Sequence, residues 1–308
     1  MKIGITGGAW FIGSNLSEQL ISIGHQVQVL DNLSNGSLSN LKNLHLEFIL
    51  GDILDTQLVN NFFEQNDYVF HLAALGSVPR SIETPVEVFN SNVIGTLNVL
   101  ESARNFKKSV VMASSSSVYG GNTKIPKSEL DWLNPLSPYA SSKLSCEGMF
   151  SAWAQSYDLN LTVYRLFNVF GPKQKTDGPY SAVIPKWASK IMHNEPVEIF
   201  GDGLQKRDFT YVGDVVRVLI KGLEEGINRR APINLAFGNQ ISVNDLLMYF
   251  KQIQPDFQVK YNKPRNGDVL YSASDGLLIS NLFPDVQPQS FFESLKLTWS
   301  WYLTQNQP

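Results

Sequence analysis

Tyr139-Ala-Ser-Ser-Lys143 sets a phenol and an ammonium four positions apart, a spacing that puts both on one face of a helix. A cation so placed stabilises a phenolate, which makes the tyrosine a general base near neutral pH. Amphipathic surface helices produce the same pair by chance, so the setting matters. Pro135 and Pro138 stop any earlier helix and start a new one at this point. Upstream, an apolar run ends in Ser114-Ser115-Ser116-Ser117-Val118-Tyr119-Gly120. Hydroxyls at the end of a strand can hydrogen-bond a substrate hydroxyl, although four serines also make a polar turn.

A second constellation opens the chain. Residues 2–13, Lys-Ile-Gly-Ile-Thr-Gly-Gly-Ala-Trp-Phe-Ile-Gly, read as a strand running into a glycine loop that starts a helix. Such a loop turns backbone N–H groups and the positive end of a helix dipole toward a phosphate. Gly7 and Gly13 stand at its ends. Midway, where a glycine would let the backbone approach a dinucleotide pyrophosphate, the chain carries Trp10. The ring raises two expectations: a clash with the pyrophosphate, or a backbone angle that glycine takes freely and tryptophan does not. With the ring turned outward, Phe11 and Ile12 still donate N–H groups, and the expectation is a competent site with an altered loop. The second strand ends in Asp31, eighteen positions beyond Gly13. A carboxylate there accepts both ribose hydroxyls of an adenosine and repels a 2'-phosphate, favouring NAD over NADP. Asn32, then Asp52 and Ile53, then Leu72, Ala73 and Ala74 follow at successive strand ends. Taken alone, Asp52 reads equally as a helix N-cap, and the adjacent His71 as a satisfied core histidine; the ordered set argues for a dinucleotide.

These residues require a scaffold that delivers strand ends to one edge. Ile3 to Thr6, Val27 to Leu30, Leu46 to Leu50, Tyr68 to His71, Val110 to Ala113 and Leu161 to Leu166 read as strands with helical spacing between them. That alternation implies right-handed crossovers and a doubly wound parallel α/β sheet. After Gly171 the alternation fails and prolines interrupt. The expected division is a first domain over 1–170, a smaller lobe over 171–211 and 238–308, and a return of about 212–237 to the main sheet. No internal repeat or low-complexity segment is present.

The chain has 308 residues, 43% hydrophobic and 17% charged, with a formal net charge of -3. Nothing in this balance invites nucleic acid, and the basic pairs Lys107-Lys108 and Arg229-Arg230 are isolated. Cys146 is the single cysteine, which excludes an intrachain disulfide and a metal–thiolate site. No apolar run approaches membrane-spanning length, and only six residues precede Gly7, so the cytoplasm is the expected address.

The glycine loop, Asp31, the serine run and Tyr139/Lys143 together resemble the extended short-chain dehydrogenase/reductase family, best its nucleotide-sugar epimerases. The likeness extends to Asn90-Ser-Asn92-Val-Ile-Gly-Thr96, Arg165-Leu-Phe-Asn168-Val-Phe-Gly171, Gly201-Asp-Gly-Leu-Gln-Lys-Arg207 and the tail Trp299-Ser-Trp301-Tyr302. It implies a Rossmann sheet with a smaller C-terminal substrate-binding lobe, NAD as cofactor, a UDP-sugar substrate and a homodimer, with helices near Val93 to Ala103 and Leu144 to Trp153 available for pairing. By the family pattern Ser115, Tyr139 and Lys143 are catalytic, Ser117 lies close to the substrate, and Asn92 belongs to the cofactor site with Tyr139 and Lys143. Asn168 contacts the diphosphate, Arg207 and Arg265 hold phosphates, Asp268 the ribose, and Val183 and Phe200 line the same site.

The implied reaction is transient oxidation at the sugar 4-position, rotation of the keto sugar and reduction on its other face. Related 4,6-dehydratases carry an Asp-Glu pair where this chain has Ser116 and Ser117, so dehydration lacks its acid and base. A UDP-glucuronate decarboxylase is the alternative enzyme, and a non-catalytic NAD sensor or scaffold the alternative class. Leu75-Gly76-Ser77-Val-Pro-Arg80-Ser81 resembles the segment of UDP-N-acetylglucosamine 4-epimerases that leaves room for an acetamido group. Ser272 stands where epimerases restricted to glucose and galactose have a bulky tyrosine, although the neighbouring Tyr271 would reverse that reading if the register slipped by one.

Overall fold

The computed structural model describes residues 1–176, 182–264 and 271–305. Six strands form where buried β-rich runs predict them: β1 (Lys2–Thr6), β2 (Gln26–Asp31), β3 (Glu47–Leu50), β4 (Tyr68–His71), β5 (Ser109–Ser115) and β6 (Leu161–Leu166). They pair in parallel. With the later strand Ile233–Leu235 at the edge beside β6, the order is (Ile233–Leu235)-β6-β5-β4-β1-β2-β3. The chain therefore moves outward in opposite directions from β1 and β4, and the crevice at their carboxyl ends is the switch point where ligands bind in such sheets.

Helices fill the crossovers: α1 (Phe11–Ser22), α2 (Thr56–Gln65), α3 (Val78–Glu83), α4 (Pro85–Phe89), α5 (Gly95–Phe106), which continues from a π-helical turn at Asn90–Ile94, and α6 (Pro138–Tyr157). Phe62 and Phe63 of α2, Val99 and Leu100 of α5, and Cys146 and Phe150 of α6 share one core with Val69, Val110 and Val163 from the sheet. Burying each large side chain is worth about 1.5–3 kcal/mol. Ser137 caps α6 by accepting the Ala140 N–H at 3.1 Å, with Pro138 in the first helical turn. Asp55, and not Asp52, caps α2, accepting from Leu58 N at 3.0 Å. Asp52 folds instead into a local turn onto the Leu54 N–H at 2.9 Å, because the helix begins three residues later than a cap at that position would require.

Contacts divide the chain into two units, residues 1–123, 129–166 and 216–234 in one and 124–128, 167–215 and 235–308 in the other. The first contains the seven-stranded sheet. The second holds short strand pairs: Val197–Phe200 runs parallel to Val259–Asn262, and Lys206–Arg207 lies between Ile241–Ser242 and Tyr271–Ser272. Its core is aromatic, with Phe170, Trp187, Phe250, Trp299 and Tyr302 buried together. Among the described residues no helix is long and apolar enough to cross a membrane.

His71, at the end of β4, is a satisfied core histidine. Its Nδ1 lies 2.8 Å from Thr6 Oγ1 and its Nε2 2.9 Å from Thr96 Oγ1, linking β1, β4 and α5. Burial first, and then the charge of Lys143, pull its pKa down to about 3. The ring is thus neutral when folded, while in the unfolded chain it protonates below about 6.5. Its contribution to stability is complete above that value and is lost as pH falls toward about 3, at up to about 1.4 kcal/mol per pH unit. Urea midpoints measured from pH 7 to pH 4.5 are expected to fall less steeply in His71→Gln than in the parent; coincident slopes would show that His71 carries none of the acid sensitivity.

Candidate active site

The glycine loop is a contact of backbone on backbone. Gly7 has φ +73°, and a Cβ there would lie 2.6 Å from Ala73 N. At Gly13 a Cβ would meet the Gly7 carbonyl oxygen at 2.5 Å. No side chain fits at either place. Trp10, by contrast, sits at φ -94° and ψ 179° as the N-cap of α1. The expectation that position 10 demands a glycine backbone is therefore corrected: an N-cap takes extended dihedrals, which any L-residue adopts. Trp10, half-buried, lines a groove with Gly7, Asp31, Asn32, Asp52, Ile53 and Leu72 to Ala74. Phe11 and Ile12 occupy the first turn of α1, where N–H groups lack helical acceptors.

Asp31 is buried and accepts from Ala9 N at 2.9 Å and Leu33 N at 2.8 Å. Burial raises its pKa, with the two N–H donors acting in the opposite direction. Two of the roughly four acceptor positions of a carboxylate are so used, which leaves capacity for a ligand diol. Asn32 donates to Asp52 at 2.7 Å across the groove. Asn92 does not line this groove; Ser91 does. The Asn92 amide accepts from Leu75 N at 2.7 Å and donates to Leu75 O and Ser142 Oγ, so it fastens the loop after β4 to α6. Sequence reasoning missed Ser34, Asn35 and Gly36 in the groove wall. The Asn-Gly pair after Asp31 was the available sign, since a Cβ at Gly36 would lie 3.0 Å from Asp31 Oδ1.

Ser115, Tyr139 and Lys143 all belong to the first unit. Ser115 ends β5, and its Oγ accepts from Ser117 N at 3.2 Å. Buried Lys143 donates from Nζ to the Ala113 carbonyl at 2.9 Å, two residues before Ser115. Tyr139 lies one turn earlier on α6 and is half-buried. The Ser117 hydroxyl is buried without a protein partner. Gly76 is exposed with open space where a side chain would project. Ser77 has φ +89° and caps α3 by accepting from Arg80 N at 3.3 Å, a backbone conformation that costs a non-glycine residue of order 1–3 kcal/mol.

In the second unit a cavity of about 340 Å³ brings together Asn168, Val183, Phe200 and Arg207. Asn168 adopts φ +35° and donates from Nδ2 to the Asp208 carbonyl at 3.1 Å. Lys190 and Glu198 also line this cavity and pair at 3.0 Å; sequence reasoning missed both, because isolated surface-type charges carry no motif. It also missed Asp208, whose carboxylate accepts the N–H groups of Ser274, Gly238 and Asn239 at 3.0–3.1 Å. Burial raises that carboxyl to about 6 against the pull of these donors. Ser272 pairs in register with Arg207, while exposed Tyr271 pairs with Lys206; neighbours in a strand project to opposite faces, so the two side chains cannot share one wall. Arg265 and Asp268 lie outside the described residues.

A glycine cradle at a helix start, a buried carboxylate at the end of β2, a serine at the end of β5 and a Tyr/Lys pair on α6 fit a dinucleotide-dependent proton and hydride chemistry. Residues 3–236 match the model of the NAD dependent epimerase/dehydratase family. The chain belongs to that family. It is 36% identical over 256 residues to the UDP-N-acetyl-alpha-D-glucosaminuronate decarboxylase of Bacillus cytotoxicus, covering 81% of this chain and 79% of the relative. To the UDP-glucose 4-epimerase of Mycolicibacterium smegmatis it is 34% identical over 285 residues, covering 89% and 90%. The structure of the UDP-N-acetylglucosamine 4-epimerase from Methanobrevibacter ruminantium M1 in complex with UDP-N-acetylmuramic acid superposes with TM-score 0.93 at 37% identity, covering 99% of this chain and 98% of that one.

NAD is thus the cofactor whose fit the loop can be tested for. Gly7→Ala forces a side chain into the backbone of Ala73 at a positive φ, and the left-handed conformation alone costs about 1–2 kcal/mol. The expected result is an NAD occupancy reduced roughly tenfold, read from the 260 nm excess of the purified protein; parental occupancy would show that the loop does not set cofactor binding.

Proposed function

We propose that this enzyme is a UDP-hexose 4-epimerase, acting on UDP-GlcNAc/UDP-GalNAc and on UDP-Glc/UDP-Gal. The observation that carries the reading is Tyr139 and carbonyl-anchored Lys143 on α6 next to a strand end bearing Ser115, followed by serines and not by an acid pair. Tyr139 takes the proton of the sugar 4-hydroxyl and returns it at the end of the cycle. Lys143 stabilises the phenolate, and Ser115 polarises the reacting oxygen or relays its proton. Gly7, Asp31 and the first turn of α1 hold NAD, with Trp10, Asn32, Asp52, Ile53 and Leu72 to Ala74 as groove wall and Asn92 as support. Bound NAD supplies reversible hydride acceptance at C4. Asn168, Val183, Phe200 and Arg207, with Arg265 and Asp268, hold the UDP moiety. Release of the sugar from one face and capture of the other inverts the centre without net consumption of cofactor.

The similarity to 4-epimerases of two sugar types supports this reading. Open space at Gly76 and the small Ser272 support acceptance of an acetamido group. Similarity to a decarboxylase favours one second reading, loss of CO2 from a UDP-uronate. A homodimer paired through α5 and α6, and a cytoplasmic address, complete the proposal.

Three measurements test it. Separate incubation with UDP-GlcNAc, UDP-Glc and a UDP-uronate, with the 4-epimers and CO2 resolved, is expected to give epimers; bound NAD without any epimer would leave a sensor, and CO2 release the decarboxylase. Tyr139→Phe is expected to lower kcat by about 10²–10⁴-fold at unchanged NAD content. In a further variant, Ser272→Tyr, the larger ring is expected to shift the ratio of kcat/KM values toward UDP-Glc by about 10–200-fold; an unchanged ratio would remove Ser272 from the sugar wall.

A further inference from the structure

Immediately behind the Ser115 strand end lies a connected chain of polar groups, most of them buried. The Glu147 carboxylate accepts from Ser114 Oγ at 2.6 Å and Arg165 Nε at 3.0 Å through Oε1, and from Arg165 Nη2 at 2.7 Å through Oε2. Arg165 Nη1 donates to the Tyr119 hydroxyl at 2.8 Å, and that hydroxyl donates to Asn234 Oδ1 at 2.7 Å. The Arg165 guanidinium also lies 4.9 Å from the centroid of the Tyr119 ring. Asn234 in turn is held through its backbone N–H by Glu129 at 2.8 Å. Both charged side chains are 4% exposed.

The positions of these groups are what makes the chain informative. Ser114 directly precedes Ser115, and Tyr119 closes the 3₁₀ turn that contains Ser117. Ser114 pairs with Arg165 in the β5–β6 register. Glu147 follows Lys143 by one helical turn and Tyr139 by two on α6, so the three occupy one helix face. The single carboxylate therefore joins both flanks of the serine segment to the helix that bears the base and its cation. A buried ion pair adds little net stability over an apolar pair of equal volume. Stability is then a poor reason for its presence, and geometry a better one.

We propose that Glu147 and Arg165 are positioning residues that set Ser115 against Tyr139 and Lys143. This rests on the assignment of those three side chains to proton transfer. The double variant Glu147→Leu/Arg165→Met removes both charges while keeping the volume, and is expected to fold with a urea midpoint close to the parent. Its kcat is expected to fall at least tenfold while KM and NAD content stay at the parental level. A crystal structure of the double variant is expected to show the Ser114–Tyr119 segment displaced relative to α6. That reading needs no substrate: if the parent turns over no UDP-hexose, the functional assignment fails, while the displacement still decides the role of the pair. A folded double variant with parental kcat and an undisplaced serine segment overturns the proposal. Should the double variant not fold, Ser114→Ala decides, since it deletes one small hydroxyl and leaves the ion pair intact: a several-fold loss in kcat at constant KM supports positioning, and parental kcat overturns it.

Discussion

Direct contact of backbone against backbone at Gly7 governs much of what surrounds it. A residue there with any side chain would separate the end of β1 from the end of β4, and those are the two strands between which the sheet reverses its direction of growth. The crevice exists because the two strand ends close on one another without intervening atoms. Thr6, the last residue of β1, reaches across the same junction to His71 and to the Ala73 N–H. Packing, a positive φ and hydrogen bonding thus converge on one point, and the helix that follows is aimed by it.

Electrostatics around this junction are arranged by burial as much as by pairing. His71 is held neutral between two hydroxyls, close enough to Lys143 for the cation to help depress its pKa. Lys143 finds a backbone carbonyl for a hydrogen bond, so a positive charge stands near Tyr139 without a carboxylate to neutralise it locally. The nearest carboxylate on the same helix, Glu147, is bound to Arg165. His71, Lys143 and Glu147 are thus each held by a different kind of partner: hydroxyls, a backbone carbonyl and a guanidinium.

The sheet was legible in the sequence because parallel strands covered on both faces read as continuous apolar runs, and all six come out close to the expected positions. Spacing alone exposed Tyr139 and Lys143, since a helix fixes the relation of residues four apart. Other features depended on tertiary neighbours. Glu147 in isolation reads as a surface charge and Arg165 as an interruption of a strand; only the folded pairing of β5, β6 and α6 joins them. Residues 124–128 belong with the second unit because Lys127 N bonds Ala273 O and Asp275 N bonds Lys127 O, a pairing over more than a hundred residues that leaves no trace in composition. Asp52 and Asp55 are both plausible caps by type, and the start of α2 chooses between them.

Trp10 has one more consequence. Trp10 lines the groove that begins at Gly7, so its indole is a fluorophore within energy-transfer range of a dinucleotide bound there. Indole emission overlaps the absorption of reduced nicotinamide and not that of the oxidised form, so energy transfer from Trp10 distinguishes the two states of a bound dinucleotide. The residue that departs from the usual glycine pattern would thereby supply an intrinsic optical reporter of the half-reaction.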